Sequence, residues 1–141
     1  MATDAYIDPD ELLGVWDFER EIVDRVADQV KRVAGRTDLT ATDDGRIRWY
    51  ESGTLFDGDL QLQVFRTLFI EKTDGQWAAT FEDGRDFHRW APGEDVEHLC
   101  GADTYRGRID VVPGAAATWT VVWTVTGPTK DYTMTTHLTR P

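Results

Sequence analysis

His98, Cys100, Asp103 and Tyr105 are crowded into the stretch 98–105. Histidine titrates near neutrality and a buried carboxyl can be shifted upward, so His98, Asp103 and Tyr105 are candidate catalytic residues for proton transfer. The same side chains can instead satisfy one another as a hydrogen-bond network around Gly101. His88, His98 and Cys100 lack the Cys-x-x-Cys or His-Glu-x-x-His spacing of a metal site, so no metal is predicted. Cys100 also lacks any local signature of a catalytic thiol.

Arg20 is the second anomaly. Trp16, Phe18, Arg20 and Ile22 alternate with Asp17, Glu19 and Glu21, so the guanidinium shares a face with apolar residues. A guanidinium cannot be neutralised and is costly to bury alone, so Arg20 either pairs with an inward acid or binds an anionic group of a ligand. Lys130 and Tyr132 share a face near the start of the last strand; they join Arg20 around a carboxylate, or Lys130 simply belongs to the turn at 127–130. His137 is the kind of barrel histidine that can ligate haem iron, but alternation puts it opposite Tyr132, Met134, Leu138 and Arg140 unless a bulge intervenes.

The elements that hold these residues read as strands. Asp8 to Gly14 forms a one- or two-turn helix, with Asp8 as cap, Pro9 at the first helical position, Glu11 completing a capping box and Gly14 ending it. A strand runs from Val15. Residues 25–44 are ambiguous between helix and bulged strand, with strand favoured over 31–42. Strands follow at 46–54, 60–72, 76–81, 86–90, 98–112, 117–126 and 130–140, with Asp44-Gly45, Asp57-Gly58, Asp74-Gly75, Pro113-Gly114 and Gly127-Pro128 among the turn signals. No spacing of the βαβ kind occurs. The prediction is an all-β fold, one antiparallel up-and-down barrel of nine or ten strands over residues 1–141, with the short helix plugging one end.

Barrels of this size are either filled or hold one small ligand. Taking inward faces from the aromatic member of each strand, the predicted ligand-binding set is Phe18, Phe69, Trp119, Trp123 and Met134 for apolar contact. Arg20, His98, Asp103, Tyr105 and Tyr132 supply polar anchors. Gly14, Trp16 and Arg140 are assigned to barrel closure.

Composition narrows the partners. With 26 Asp+Glu against 15 Lys+Arg the formal net charge is -11, which opposes attraction to nucleic acid and to anionic membranes. Three lysines against twelve arginines and an acidic balance fit a halophilic cytoplasm, or an acidic protein from a GC-rich genome. A single cysteine allows no internal disulfide. Met1 to Asp8 lacks the basic and apolar regions of a signal peptide, and the apolar run Ala115 to Val125 is too short and threonine-rich to span a bilayer. The expectation is a cytoplasmic monomer or homodimer with a small-molecule partner.

Gly14-Val15-Trp16 after a short helix, with Arg140 ending the last strand, resembles the calycin superfamily, which includes lipocalins and fatty-acid-binding proteins. In lipocalins this tryptophan closes the barrel base and an arginine from the last strand packs across it. Leu12-Leu13-Gly14-x-Trp16, Asp83-Gly84-Arg85-x-Phe87-His88, the stretch His98 to Gly107 and Trp123-x-Val125-x-Gly127-Pro128-x-Lys130-Asp131-Tyr132 together resemble the domain of unknown function numbered 6314. That resemblance implies a calycin-like fold and no activity. Fatty-acid-binding proteins carry Arg-x-Tyr on the last strand where this chain has Lys130-Asp131-Tyr132. Haem-binding nitrobindins place their ligand histidine in a pattern that His137 does not match.

The functional expectation is a barrel that binds a small amphipathic or carboxylate-bearing molecule in its interior. The alternatives are a small isomerase- or decarboxylase-like enzyme using His98, Asp103 and Tyr105, and haem binding of the nitrobindin type.

Overall fold

A computed structural model describes residues 7–114 and 117–141. Met1 to Tyr6, most of the segment tested for a leader, and Ala115-Ala116, which begin the apolar run, lie outside the described residues. No helix among the described residues is long and apolar enough to cross a membrane.

Ten strands form one antiparallel sheet: β1 Gly14–Asp24, β2 Gln29–Ala41, β3 Ile47–Asp57, β4 Leu60–Thr73, β5 Gln76–Phe81, β6 Asp86–Arg89, β7 Asp95–Cys100, β8 Asp103–Val112, β9 Thr118–Thr126 and β10 Asp131–Thr139. Their order is β6-β5-β4-β3-β2-β1-β10-β9-β8-β7, so the first and last strands pair as expected and the two edges of the sheet are β6 and β7. Within the ambiguous stretch 25–44, residues 29–41 are regular strand, paired with β1 from Gln29 to Leu39 without a bulge, and residues 25–28 form the turn before it. The single strand expected over 98–112 is instead two strands. Gly101, at φ +60, turns the chain back between Cys100 and Asp103, and β7 reaches down to Asp95.

One seam carries no ladder. β6 and β7 are sheet edges that meet through side chains: the rings of Phe81 and Phe87 stand 5.5 and 5.3 Å from that of His98, and Arg89 donates to the Asp95 carbonyl at 3.1 Å. Aromatic and ionic contacts do here what backbone hydrogen bonds do elsewhere, without leaving a long bare edge.

Antiparallel order gathers the turns after β1, β3, β5, β7 and β9 at one end of the barrel. The other turns lie at the opposite end, with both ends of the sheet strands. At that second end the expected helix is a single 3-10 turn, Pro9–Leu12. Glu11 accepts from the Asp8 N–H as a capping box requires, while the Asp8 carboxylate accepts the Trp77 indole N–H at 2.6 Å. Trp90 donates to the Ile7 carbonyl and Trp16 to that of Leu12. The Arg140 guanidinium lies 3.7 Å from the Trp16 ring centre and donates to the Leu13 carbonyl. Gly14 is required here twice over: its φ is +118, and a Cβ would sit 2.9 Å from the Arg140 guanidinium.

Above this plug the barrel is solid. Trp16, Trp49 and Trp119 meet edge-on or tilted at 5.9 and 5.5 Å, with Leu39, Ile47, Leu68 and Leu138 buried around them. Indole rings at such spacing fill the lower barrel to interior density.

Candidate functional site

The open end is built differently. β2 and β3 approach each other closely where Gly35 faces Gly53 in their ladder: a Cβ on Gly35 would fall 2.1 Å from the Ser52 carbonyl oxygen, and one on Gly53 2.5 Å from that of Ala34. Only glycine permits this approach. Near it, Arg20 on β1 reaches Glu51 on β3.

Arg20 is therefore paired, as one of its two expected alternatives required. Its Nη1 and Nη2 donate to the two Glu51 carboxylate oxygens at 3.0 Å each, and its Nε donates to Thr136 Oγ1 at 2.7 Å. The pair is well enclosed, with side-chain exposures of 14% for Arg20 and 7% for Glu51. A fork-to-fork contact with every facing donor used is the geometry in which a buried ion pair is tolerated.

A second guanidinium shares the same carboxylate. Arg66, the cross-strand partner of Glu51 on β4, brings Nη2 to 3.5 Å from Oε1 yet makes no hydrogen bond among the described residues, and its side chain is 40% exposed. Burial acts to raise the Glu51 carboxyl, but the Arg66 and Arg20 charges and the Arg20 hydrogen bonds outweigh it and hold the pKa below its ordinary value. Burial and the Arg20 charge push the Arg66 pKa down, against the pull of Glu51.

Beside these groups lies a recess of about 150 Å³ lined by Phe18, Arg20, Glu51, Gly53, Val64 and Arg66, with Ser52 and Phe65 completing it. At about 30 Å³ per water it admits roughly five non-hydrogen atoms. Deeper in, between Trp49, Val121 and Met134, only a hole of about 10 Å³ remains. Toward the opening, Val64, Leu62 and Leu60 continue the face of β4 that carries Arg66, and Leu62 and Leu60 are 44% and 53% exposed. A cation thus stands at the foot of an open apolar ladder.

Tyr105 and Tyr132 are half-buried on inward faces of β8 and β10, and burial together with Tyr105 pushes the Tyr132 phenol up to about 12. His98 turns its ring to Phe81, Phe87 and Tyr105 in the seam. The Asp103 carboxylate is engaged elsewhere: it accepts from Lys130 Nζ at 2.8 Å and packs on Gly127, where a Cβ would lie 2.0 Å from Oδ1. Lys130 thus pairs with Asp103 at the β9–β10 turn; His98 and Tyr105 face each other with rings 5.9 Å apart, and no hydrogen bond joins His98, Asp103 and Tyr105 among the described residues. Phe18 and Met134 border the Arg20 region, whereas Trp119 is core and Trp123 stacks on Phe87 at 4.9 Å. Cys100 is exposed.

Phe69 corrects the sequence reading. It lies on the outer face of β4 beneath the Arg46 guanidinium, 4.1 Å from its ring centre, while Leu68 and Ile70 point in. Choosing the aromatic as the inward residue reversed the parity of the whole strand and hid Arg66. Glu51 was missed differently, although Ile47, Trp49, Glu51, Gly53 and Leu55 carry the same signal that exposed Arg20: a charge alternating with apolar residues.

His88 was also unassigned. A register shift between Ala79 and Thr80 lets both Phe87 and His88 point inward. The His88 Nδ1 lies 2.7 Å from the Arg89 carbonyl, which can only accept, so Nδ1 carries the proton. Burial lowers its pKa to about 4. His137 faces outward, exposed beside Thr120. With that orientation and a residual interior hole of about 10 Å³, the described interior does not fit haem on His137.

Comparison with solved structures finds the same fold in the S-type phycobiliprotein lyase CPES from Guillardia theta, at 12% identity and a TM-score of 0.62, covering 92% of this chain and 87% of that one. Comparison with curated protein sequences gives no match. The profile of a family of unknown function, DUF6314, matches residues 12–140, spanning the Trp16 closure, the Arg20, Glu51 and Arg66 cluster and all of the last strand. The chain shares the antiparallel barrel fold of that lyase and belongs to the DUF6314 family.

Proposed function

We propose that the protein binds a small amphipathic molecule with an anionic, carboxylate head at the open end of the barrel. The head group meets Arg66, and the tail lies along Val64, Leu62 and Leu60. One observation carries this: Arg66 has unused donors, faces a recess and stands below an exposed apolar ladder. Guanidinium is the side chain best shaped to receive a planar carboxylate. The ligand sits higher than the sequence suggested, because indole rings fill the lower barrel. Phe18 and Met134 remain in the proposed site, with Arg20 as the fixed neighbour of the anchor. That a similar barrel is named a phycobiliprotein lyase supports small-molecule work on such a scaffold and assigns no reaction here.

The test is titration with dodecanoate and with dodecanol, read by tryptophan fluorescence from the nearby Trp49 and Trp123. Dodecanoate is expected to bind at least about tenfold tighter, the discrimination one charge-assisted contact supplies. Replacing Arg66 by Met should erase that difference. Equal binding of acid and alcohol by the unaltered protein would sink the proposal. In a parallel titration with haemin, no Soret band of an axially ligated haem is expected.

A further inference from the structure

Charge counting over the open end points beyond the presence of an anion site to the charge it accepts. Four cationic side chains at this end share the inward parity of their strands: Arg20, Lys31, Arg66 and Lys130; Arg25 and Arg85, in its turns, are paired with Asp131 and Asp83. Three of the four have a carboxylate each. Arg20 holds Glu51, Lys31 lies 3.6 Å from Asp57, and Lys130 lies 2.8 Å from Asp103. Arg66 has only a share of the carboxylate Arg20 already occupies. His88 adds no charge near neutrality, held neutral by its burial.

We propose that Glu51 sets the charge class of the ligand: as the one resident anion beside two guanidiniums, it leaves a surplus of a single positive charge, so the site takes monoanionic carboxylates and discriminates against dianionic head groups. This rests on the reading of Arg66 as the anion anchor. The geometry gives the reason. A ligand head bound to Arg66 lies within a few ångströms of Glu51 Oε1, itself 3.5 Å from Arg66 Nη2. The first negative charge is balanced by the surplus guanidinium, and a second would meet the Glu51 carboxylate across a partly desolvated gap, where like charges repel far more than in water. Arg20 cannot swing over to help, because all three of its nitrogens are engaged by Glu51 and Thr136.

The experiment compares dodecanoate with dodecyl phosphate at pH 8, where the phosphate is mostly dianionic. The unaltered protein is expected to favour dodecanoate. Glu51→Gln keeps an acceptor for Arg20 but raises the surplus to two charges, and should shift the preference toward the phosphate by about tenfold or more. The double substitution Arg20→Met with Glu51→Met removes the repelling carboxylate but keeps the surplus at one, and should shift the preference toward the phosphate by less than about tenfold, a limit that holds even should Glu51→Gln fold poorly. An unchanged carboxylate-to-phosphate ratio in Glu51→Gln, or a shift toward phosphate of about tenfold or more in the double variant, overturns the inference. If the unaltered protein separates dodecanoate from dodecanol while either of those results appears, the anchor reading stands and only the role of Glu51 falls. If dodecanol binds as well as dodecanoate, both fall.

Discussion

The two ends of this barrel hold the same kinds of side chain to opposite effect. At the closed end, Trp16, Trp77 and Trp90 each give their indole N–H to an acceptor from the segment Ile7–Leu12, and Arg140 is spent on a ring face and a backbone carbonyl. At the open end, Arg20 is equally committed, but Arg66 is left with donors to spare and leucines above it. The plug segment takes up the Trp16, Trp77 and Trp90 indole donors and closes its end, whereas the other end leaves one cation beside an exposed apolar ladder and is the candidate binding end.

Removing Trp16 attacks the closed end. Trp16→Ala should cost about 3–5 kcal/mol in urea unfolding, because a fully buried indole leaves a cavity and strands both Arg140 and the Leu12 carbonyl. Glu51→Ala should cost a similar amount, about 3–5 kcal/mol, by abandoning the buried Arg20. Replacing Arg20 and Glu51 together by Met should come much closer to neutral, since an apolar pair of similar volume needs no partner. If the single and double changes cost the same, the open end is held by packing and not by its charges.

The pH dependence separates the ends further. His88 has a folded pKa of about 4 against an ordinary 6.5, so the unfolded chain takes up the proton first as pH falls. Stability is therefore expected to decline from pH 6.5 to 4 by something on the order of 3 kcal/mol, and His88→Asn, which keeps a donor for the Arg89 carbonyl, should flatten that limb. Glu51 acts lower: its depressed folded pKa gives stability that is complete above about pH 4.5 and is lost as pH falls through the folded value. A stability curve level between pH 6.5 and 4.5 would contradict the placement of His88.

Smaller effects sharpen the same contrast. Arg66→Met should cost no more than about 1 kcal/mol, because Arg20 still pairs Glu51, while abolishing the preference for acid over alcohol. A larger loss of stability would make Arg66 a structural residue. Lys130→Ala should cost less than about 1 kcal/mol, because the lysine end of its ion pair with Asp103 is half-exposed.

The closing end was legible in the linear chain, because its signals are local. Gly14, Trp16 and the capping residues lie within a few positions of one another, and period-two alternation from Trp16 onward placed Arg20 inside. Alternation also put His137 outside. The site itself was half legible. Arg20 announced that some partner existed, but Glu51 sits two strands away, on the far side of the close Gly35–Gly53 approach, a distance no local pattern encodes.

Composition and alternation by themselves determined an antiparallel barrel of about ten strands, the pairing of its first strand with its last, and the inward arginine. Each follows from one strand's chemistry or from turn residues read in order. Only the tertiary structure decided that Arg20 is spent, that Arg66 is not, and that Asp103 is engaged by Lys130. Those outcomes depend on parity and on which strands approach across the barrel. A single register choice at Phe69 turns every side chain of β4 to its other face, and only the folded sheet brings Glu51 of β3 to Arg20 of β1.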